Sequence, residues 1–249
     1  MKRSLFALAL LWAGVAQAGE ASVAVAANFT EPATEIAALF AERTGHSAVL
    51  TFGASGQFFA QISQGAPFQA FLSADEARPK KAVEEGFAVE GTEFTYALGT
   101  LALWSADPEL VKGEETLKAG GFEKIAIASP EAAPYGLAAV QTMEKLGVHE
   151  GLRPKIVQGS NISQALQFVD TGNAELGFVA LSQIVLIDKG SRWIVPGALH
   201  APIRQDAVLL EPGRDSAAAR AFLDFLRTPE ARAVIEKFGY GLNPQAAAG

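Results

Sequence analysis

Four times along this chain, a short polar string without Lys or Arg falls where a β-rich apolar run gives way to a run of helical periodicity. The strings are Ala27-Asn28-Phe29-Thr30, Gly53-Ala54-Ser55-Gly56, Pro134-Tyr135-Gly136 and Ser160-Asn161-Ile162-Ser163. Strand-to-helix junctions repeated in this way restrict the fold class to α/β with mostly parallel strands. They also carry chemistry. The first N–H groups of a helix lack intrahelical acceptors, and the helix dipole places partial positive charge there. Several such ends converging form a charge-free cage of donors suited to a small anion.

The elements between the junctions read in order as a strand at 23–27 and a helix at 31–43, a strand at 48–52 and a helix at 57–64, a strand at 70–73 and a helix at 76–85. In the first helix Ile36, Leu39 and Phe40 recur at helical spacing, with Thr30 placed as N-cap and Gly45 as the C-terminal stop. A fresh series begins at 94–104 and continues through 125–128, 136–146, 155–157, 162–171 and 176–181, which predicts a second α/β lobe. A strand at 207–210 and helices at 216–227 and 229–238 follow, the first with an apolar face of Phe222, Leu223 and Leu226. No Gly/Ser-rich or Pro-rich linker intervenes, so ordered strands are expected to cross between lobes near 94–103 and 195–207. There is no internal sequence repeat, and the tail at 245–249 is expected to be disordered.

Lys2-Arg3, an apolar run over 5–15 and the small-residue exit Ala16-Gln17-Ala18 read as a cleavable secretory leader over residues 1–18. No later stretch is apolar for the roughly 18 residues a membrane span requires. The chain has no cysteine, so neither a lipobox thiol nor a disulfide framework is available, and stability in an oxidising compartment must come from core burial. A freely diffusing, monomeric periplasmic protein is expected. The formal net charge is −7, and removing a leader that carries Lys2 and Arg3 makes it two units more negative. Such acidity excludes nucleic-acid binding through a basic patch.

Enzymatic readings are weak. Gly53-Ala54-Ser55-Gly56-Gln57 lacks the final glycine of a nucleophile elbow, no histidine is placed to serve Ser55 as a base, and neither a P-loop nor a dinucleotide fingerprint is present. His46, His149 and His200 match no metal-ligand spacing, so no metal-ligating side chains and no cofactor are expected. Trp104 and Trp193 read as core residues, and Arg78, Lys80 and Lys81 as a solvated helix face.

One family likeness runs through the chain. It is carried by Val23-Ala24-Val25-Ala26-Ala27-Asn28-Phe29-Thr30-Glu31-Pro32, then Phe52-Gly53-Ala54-Ser55-Gly56, Gly65-Ala66-Pro67 and Phe71-Leu72-Ser73-Ala74-Asp75. It continues through Pro134-Tyr135-Gly136, the helix from Ile162, Leu176-Gly177-Phe178-Val179 and Phe238-Gly239-Tyr240. Taken in order, these strings resemble the periplasmic molybdate-binding proteins of ABC transporters. The resemblance implies a two-lobed periplasmic binding protein of type II, with mixed, mostly parallel sheets and a ligand cleft between the lobes. Lobe I would comprise residues 19–96 and 204–249, and lobe II residues 97–203. Molybdate or tungstate would be the ligand, and a membrane permease with its ATPase the partner. The oxyanion-binding positions implied are Asn28, with Ala27 or Phe29 through the backbone, then Ser55, Tyr135, and Ile162 through its N–H. Where some members carry a tyrosine hydroxyl after the Gly-Phe-Val segment, this chain has Ala180, and Tyr135 could supply a phenol in its place.

The donor types suit such a ligand. Molybdate is fully deprotonated near neutral pH, so its oxygens call only for donors, whereas phosphate keeps a proton that favours an acceptor. No Asp or Glu lies within the four strings, although Glu31 and Glu131 lie just outside. An all-donor site favours molybdate, tungstate or sulfate over phosphate. The alternatives are a binding protein for sulfate or another oxyanion, a secreted serine hydrolase and a purely adhesive protein.

Overall fold

The computed structural model describes residues 18–242. The expected leader, apart from Ala18, and the tail at 245–249 lie outside the described residues. Ten strands form two five-stranded sheets: β1 (Glu20–Ala26), β2 (Ser47–Gly53), β3 (Ala70–Leu72), β4 (Phe94–Gly99), β5 (Leu101–Ser105), β6 (Ile125–Ala128), β7 (Ile156–Gly159), β8 (Leu176–Ala180), β9 (Ser191–Ile194) and β10 (Ile203–Leu209). The first sheet runs β2-β1-β3-β10-β4 and the second β7-β6-β8-β5-β9. In the first, β1 is parallel to β2 and β3 while β10 is antiparallel to β3 and β4. The second repeats this pattern, with β6 parallel to β7 and β8, and β5 antiparallel to β8 and β9.

The helices are α1 (Thr30–Thr44), α2 (Ser55–Ser63), α3 (Ala77–Glu84), α4 (Glu114–Ala119), α5 (Pro134–Lys145), α6 (His149–Leu152), α7 (Ile162–Asp170), α8 (Leu181–Ile184), α9 (Ala217–Phe225) and α10 (Pro229–Lys237). Thus α1 and α2 follow the first two strands of one sheet as α5 and α7 follow β6 and β7 in the other. The four polar strings are the strand-to-helix turns at these equivalent places, at the carboxyl ends of the parallel strands, where open α/β sheets bind ligands.

The chain passes from the first sheet to the second through Thr100 alone, inside the run 94–104, and returns between Ile194 and Ile203. Apolar side chains cover both faces of the first sheet. Val23 and Val25 pack with Ile36, Phe40 and Phe222, while Ala24, one step out of phase, packs with Phe58, Phe71 and Val208 on the other face. The period-2 alternation of a strand produces this division. The second lobe's core centres on Leu103, Trp104, Ile127 and Phe178 and reaches across to Ala26, Ala27, Ala54 and Ala74 of the first. Trp104 is buried as expected, whereas Trp193 is only half-buried. No helix among the described residues is long and apolar enough to cross a membrane.

Helix ends follow local chemistry with one correction. Gly45 closes α1 at φ 74° with its N–H on Ala41 O, and Ser216 and Thr228 cap α9 and α10 by accepting Ala219 and Ala231 N–H. Thr30, expected as an N-cap, is instead the first residue of α1, and its Oγ1 donates to Ala27 O at 2.8 Å. A 3-10 turn at Ala27–Phe29 leads into the helix, so the backbone tightens before Thr30 and no side chain covers the N–H groups of that turn.

Gly136 fixes how closely α5 approaches β6. A Cβ there would lie 2.2 Å from Ala128 O and 2.8 Å from Ala128 C, backbone atoms that cannot move aside. Replacing a helical glycine by alanine ordinarily stabilises by about 1 kcal/mol. Gly136→Ala reverses that sign: a loss of at least about 1 kcal/mol, or about 2–4 °C in the thermal midpoint for a chain of this size, is expected in a thermal melt. A raised midpoint contradicts the packing.

Candidate functional site

The 3-10 turn that leads into α1 and the N-terminal ends of α2, α5 and α7, two from each lobe, meet at one small cavity. Its walls include Asn28, Ser55, Ala133, Tyr135, Asn161 and Ile162. About 10 Å³ admits the centre of a water-sized sphere, the scale of a water molecule or a compact inorganic ion, far below the ~300–1,000 Å³ of pockets for organic ligands. No Asp, Glu, Lys, Arg or His lines it.

The backbone supplies the first layer of donors. Ser55 opens α2, and Tyr135 follows Pro134 at the start of α5, where proline has no N–H of its own. Ile162 opens α7 behind Asn161, whose Oδ1 accepts Gln164 N–H at 3.0 Å. The cap therefore satisfies a group deeper in the helix and leaves the Ile162 N–H open. Among the described residues the N–H groups of Ser55, Tyr135 and Ile162 have no protein acceptor, as helix-start geometry dictates. Ala27 and Asn28 occupy the equivalent place in the 3-10 turn before α1.

The hydroxyls are oriented from behind. Ser55 Oγ accepts Ala74 N–H at 2.9 Å, and Tyr135 Oη accepts from Gln205 Nε2 at 3.1 Å. Each hydroxyl thus has a lone pair engaged by protein; Ser55 keeps its proton to donate, and the Tyr135 proton has the Tyr240 hydroxyl and the cavity within reach. The Asn28 side chain differs. Both hydrogens of its Nδ2 are committed, to Gln205 Oε1 at 2.8 Å and Tyr240 Oη at 2.9 Å. The Asn28 amide thus braces two neighbouring side chains in this structure, and Asn28 itself lies in the cavity wall.

Gln205, Tyr240, Ser182 and Tyr96 stand behind these groups; the sequence marks Tyr240 only within the family likeness and the other three not at all. Tyr96 Oη lies 3.1 Å from both Ser73 O and Gln205 Oε1, and Ser182 Oγ donates to Asn28 O at 2.8 Å. A signal for Gln205 does exist in the sequence. In β10, inward Ile203, Gln205 and Ala207 alternate with Arg204 and Asp206, so a lone amide falls on an apolar face. Burial, reinforced by the nearby Tyr240 hydroxyl, holds the Tyr135 phenol well above the usual tyrosine value. Burial likewise raises Tyr96 and Tyr240. All three are neutral donors at physiological pH.

The lobes touch around the cavity. Gly56 N–H donates to Ala132 O at 2.9 Å, Ser163 Oγ to Ala27 O at 3.3 Å, and Arg78 Nη2 to Glu131 O at 3.0 Å. Arg78, expected on a solvated face, is also ion-paired with Asp75 and only 24% exposed. Lys81 does lie on an exposed face.

This arrangement has known counterparts. The model of the family described as bacterial extracellular solute-binding protein matches residues 21–241. The molybdate-binding protein ModA of Rhodobacter capsulatus is 60% identical over 225 residues, covering 90% of this chain and 89% of that protein. ModA of Azotobacter vinelandii is 52% identical over 236 residues, 93% of this chain and 94% of the relative. The chain belongs to the ModA family. The solved structure of the Azotobacter vinelandii periplasmic molybdate-binding protein superposes with a TM-score of 0.87 at 41% identity, over 90% of this chain and 99% of that one. The fold is therefore that of a two-lobed, type II solute-binding protein, and the family is one of binding proteins rather than enzymes. Ser55 accordingly needs no general base. Ala180 is fully buried at the end of β8 and is not a cavity wall, while Tyr135 reaches the cavity from the start of α5.

The buried phenols imply a pH dependence of stability. Their folded pKa values lie above the unfolded value of about 10, so folding retains protons that the unfolded chain loses in alkali. Stability from this source is complete below pH about 10 and is lost as pH rises beyond it. Thermal melts should give a midpoint insensitive to the phenols from neutrality to about pH 9, then a fall that Tyr135→Phe makes shallower. An equally steep fall in the variant contradicts the assignment.

Proposed function

We propose that this protein is a monomeric periplasmic receptor that binds molybdate or tungstate in the cavity between its lobes and delivers it to an ABC permease with its ATPase. The observation that carries this reading is a cavity of ionic size, between two lobes, whose walls present donors and no charged side chain. The ligand class named for the relatives in Rhodobacter capsulatus and Azotobacter vinelandii supports it, as does the periplasmic location given for the latter's structure. The proposed ligand groups are the N–H of Asn28, with Ala27 or Phe29 beside it, Ser55 N–H and Oγ, Tyr135 N–H and Oη, and Ile162 N–H. The first lobe, residues 19–96 and 204–249, would contribute the Asn28 and Ser55 ends, and residues 97–203 the other two.

Hydrogen bonds to an ionised acceptor contribute about 1.5–3 kcal/mol each. Five to seven such bonds, less desolvation and ordering, reach submicromolar affinity on an order-of-magnitude scale. Phosphate is disfavoured because its remaining proton finds no carboxylate on the walls. Selection among molybdate, tungstate and sulfate falls to cavity size, since all three are fully deprotonated dianions of one shape.

Calorimetric titration of the ligand-free protein is expected to show one-to-one binding of molybdate and tungstate with little heat from phosphate. Tight sulfate binding with none of molybdate reassigns the cargo. Ser55→Ala and Tyr135→Phe should each weaken molybdate binding by at least about 1 kcal/mol, and unchanged affinity removes the residue concerned from the site.

A further inference from the structure

Gln205 joins Asn28, Tyr96 and Tyr135 in one hydrogen-bonded set, and it is fully buried. Two backbone features are built around it. The pairing of β10 with β4 shifts register between Gln205 and Asp206, which leaves Tyr96 as the unpaired residue of β4, an irregularity of the kind that re-aims a side chain. Across that pairing stands Gly99, where a Cβ would lie 2.3 Å from Tyr135 Oη and 2.6 Å from Gln205 Nε2. Any other residue at position 99 would occupy the space in which the amide meets the phenol. Gly99 is also the last residue before the chain crosses to the second lobe, so the contact lies beside the crossing and links Gln205 of one lobe to Tyr135 of the other.

We infer that Gln205 is a positioning residue that makes the site reject oxyanions carrying a proton. The inference deepens the proposed function and rests on it. The reasoning is one of hydrogen-bond polarity. Gln205 Oε1 accepts from Asn28 Nδ2, and Tyr96 Oη lies within hydrogen-bond distance of it, so the amide N–H₂ is the end that faces Tyr135. With Nε2 donating to its oxygen, Tyr135 Oη has its accepting side engaged and turns its own proton outward. Tyr240 Oη, which already accepts from Asn28 Nδ2, is a second acceptor within reach of that proton, but an ionised anion is the stronger acceptor. With its accepting side engaged by Gln205, the Tyr135 hydroxyl meets an anion in the cavity as a donor.

A fully deprotonated dianion such as molybdate meets this hydroxyl favourably. Arsenate, close in shape but still partly protonated near neutral pH, must place a hydroxyl where the walls offer no carboxylate, and a buried donor left without an acceptor is strongly disfavoured. Without the Gln205 N–H, the phenol is free to rotate and accept the arsenate proton. Removing the amide should therefore change discrimination between anions, beyond any change in affinity for all of them.

The experiment compares dissociation constants for molybdate, tungstate and arsenate at pH 7 in wild type, Gln205→Met, Gln205→Glu, Tyr135→Phe and the double variant Gln205→Met/Tyr135→Phe. The isosteric Gln205→Glu keeps an acceptor towards Asn28 and Tyr96 but turns the donor at Tyr135 into an acceptor, and so serves if the methionine variant folds poorly. In either Gln205 variant the arsenate-to-molybdate ratio of dissociation constants should narrow by at least about tenfold, the equivalent of one such hydrogen bond. The tungstate-to-molybdate ratio should stay within about twofold. Adding Gln205→Met to Tyr135→Phe should not narrow the arsenate ratio further, because no phenol remains to be turned. A Gln205 variant that weakens all three anions alike overturns the role and leaves Gln205 as packing. Narrowing that persists in the Tyr135→Phe background overturns the route through the phenol. Failure of the wild type to bind molybdate or tungstate is a separate result that removes the proposed function, and this inference with it.

Discussion

Helix starts leave N–H groups without intrahelical acceptors, and four of them in this protein open onto the same buried space. Unsatisfied backbone donors are disfavoured in a low-dielectric interior, so their convergence is a cost that an arriving anion relieves. The side chains around the cavity strengthen this polarity: the hydroxyls of Ser55 and Tyr135 each have a lone pair engaged from behind, by Ala74 N–H and Gln205 Nε2. No charged side chain lines the walls. Attraction comes from dipoles held in place, while the chain as a whole is acidic, with a formal net charge of −7. Local dipoles must therefore outweigh an opposing long-range field, which they can do only in a water-poor site at short range.

Two sheets of the same strand arrangement explain how four helix starts come to face one another. Each lobe presents two strand-to-helix turns at the carboxyl edge of its parallel strands, and apposing those edges brings the turns together. Contacts that hold the lobes together surround the cavity. They include backbone pairs such as Gly56 with Ala132, the Arg78 reach to Glu131 O and the Ser182 bond to Asn28 O. The linkage through Gln205 places a determinant of donor direction next to the strand crossing at Gly99, so lobe apposition and site polarity share a residue.

Much of this was legible in the sequence where the governing physics is local. The helix at 31–43 was marked by the spacing of Ile36 and Phe40 and by Gly45, which the structure holds at φ 74°. Ser55, Tyr135 and Ile162 stand at junctions whose composition already marks helix starts. Thr30 was misplaced by one position because a 3-10 turn, set by how the chain leaves β1, precedes the helix. The partners of the Asn28 amide lie 177 and 212 residues away, beyond the reach of any local pattern. The equivalence of the two lobes left no sequence repeat, since burial and pairing constrain residue class far more loosely than identity.

The central claim, that capture relies on fixed neutral dipoles beneath an acidic surface, is tested most directly by the salt dependence of binding. Molybdate dissociation constants measured calorimetrically from about 20 mM to 500 mM sodium chloride span screening lengths from well beyond the site to shorter than its walls. A buried site of neutral donors should show affinity that is constant within about threefold or slightly tighter with salt, as repulsion from the acidic surface is screened. A tenfold or greater weakening over that range would mean that cationic side chains carry the binding, and would contradict it.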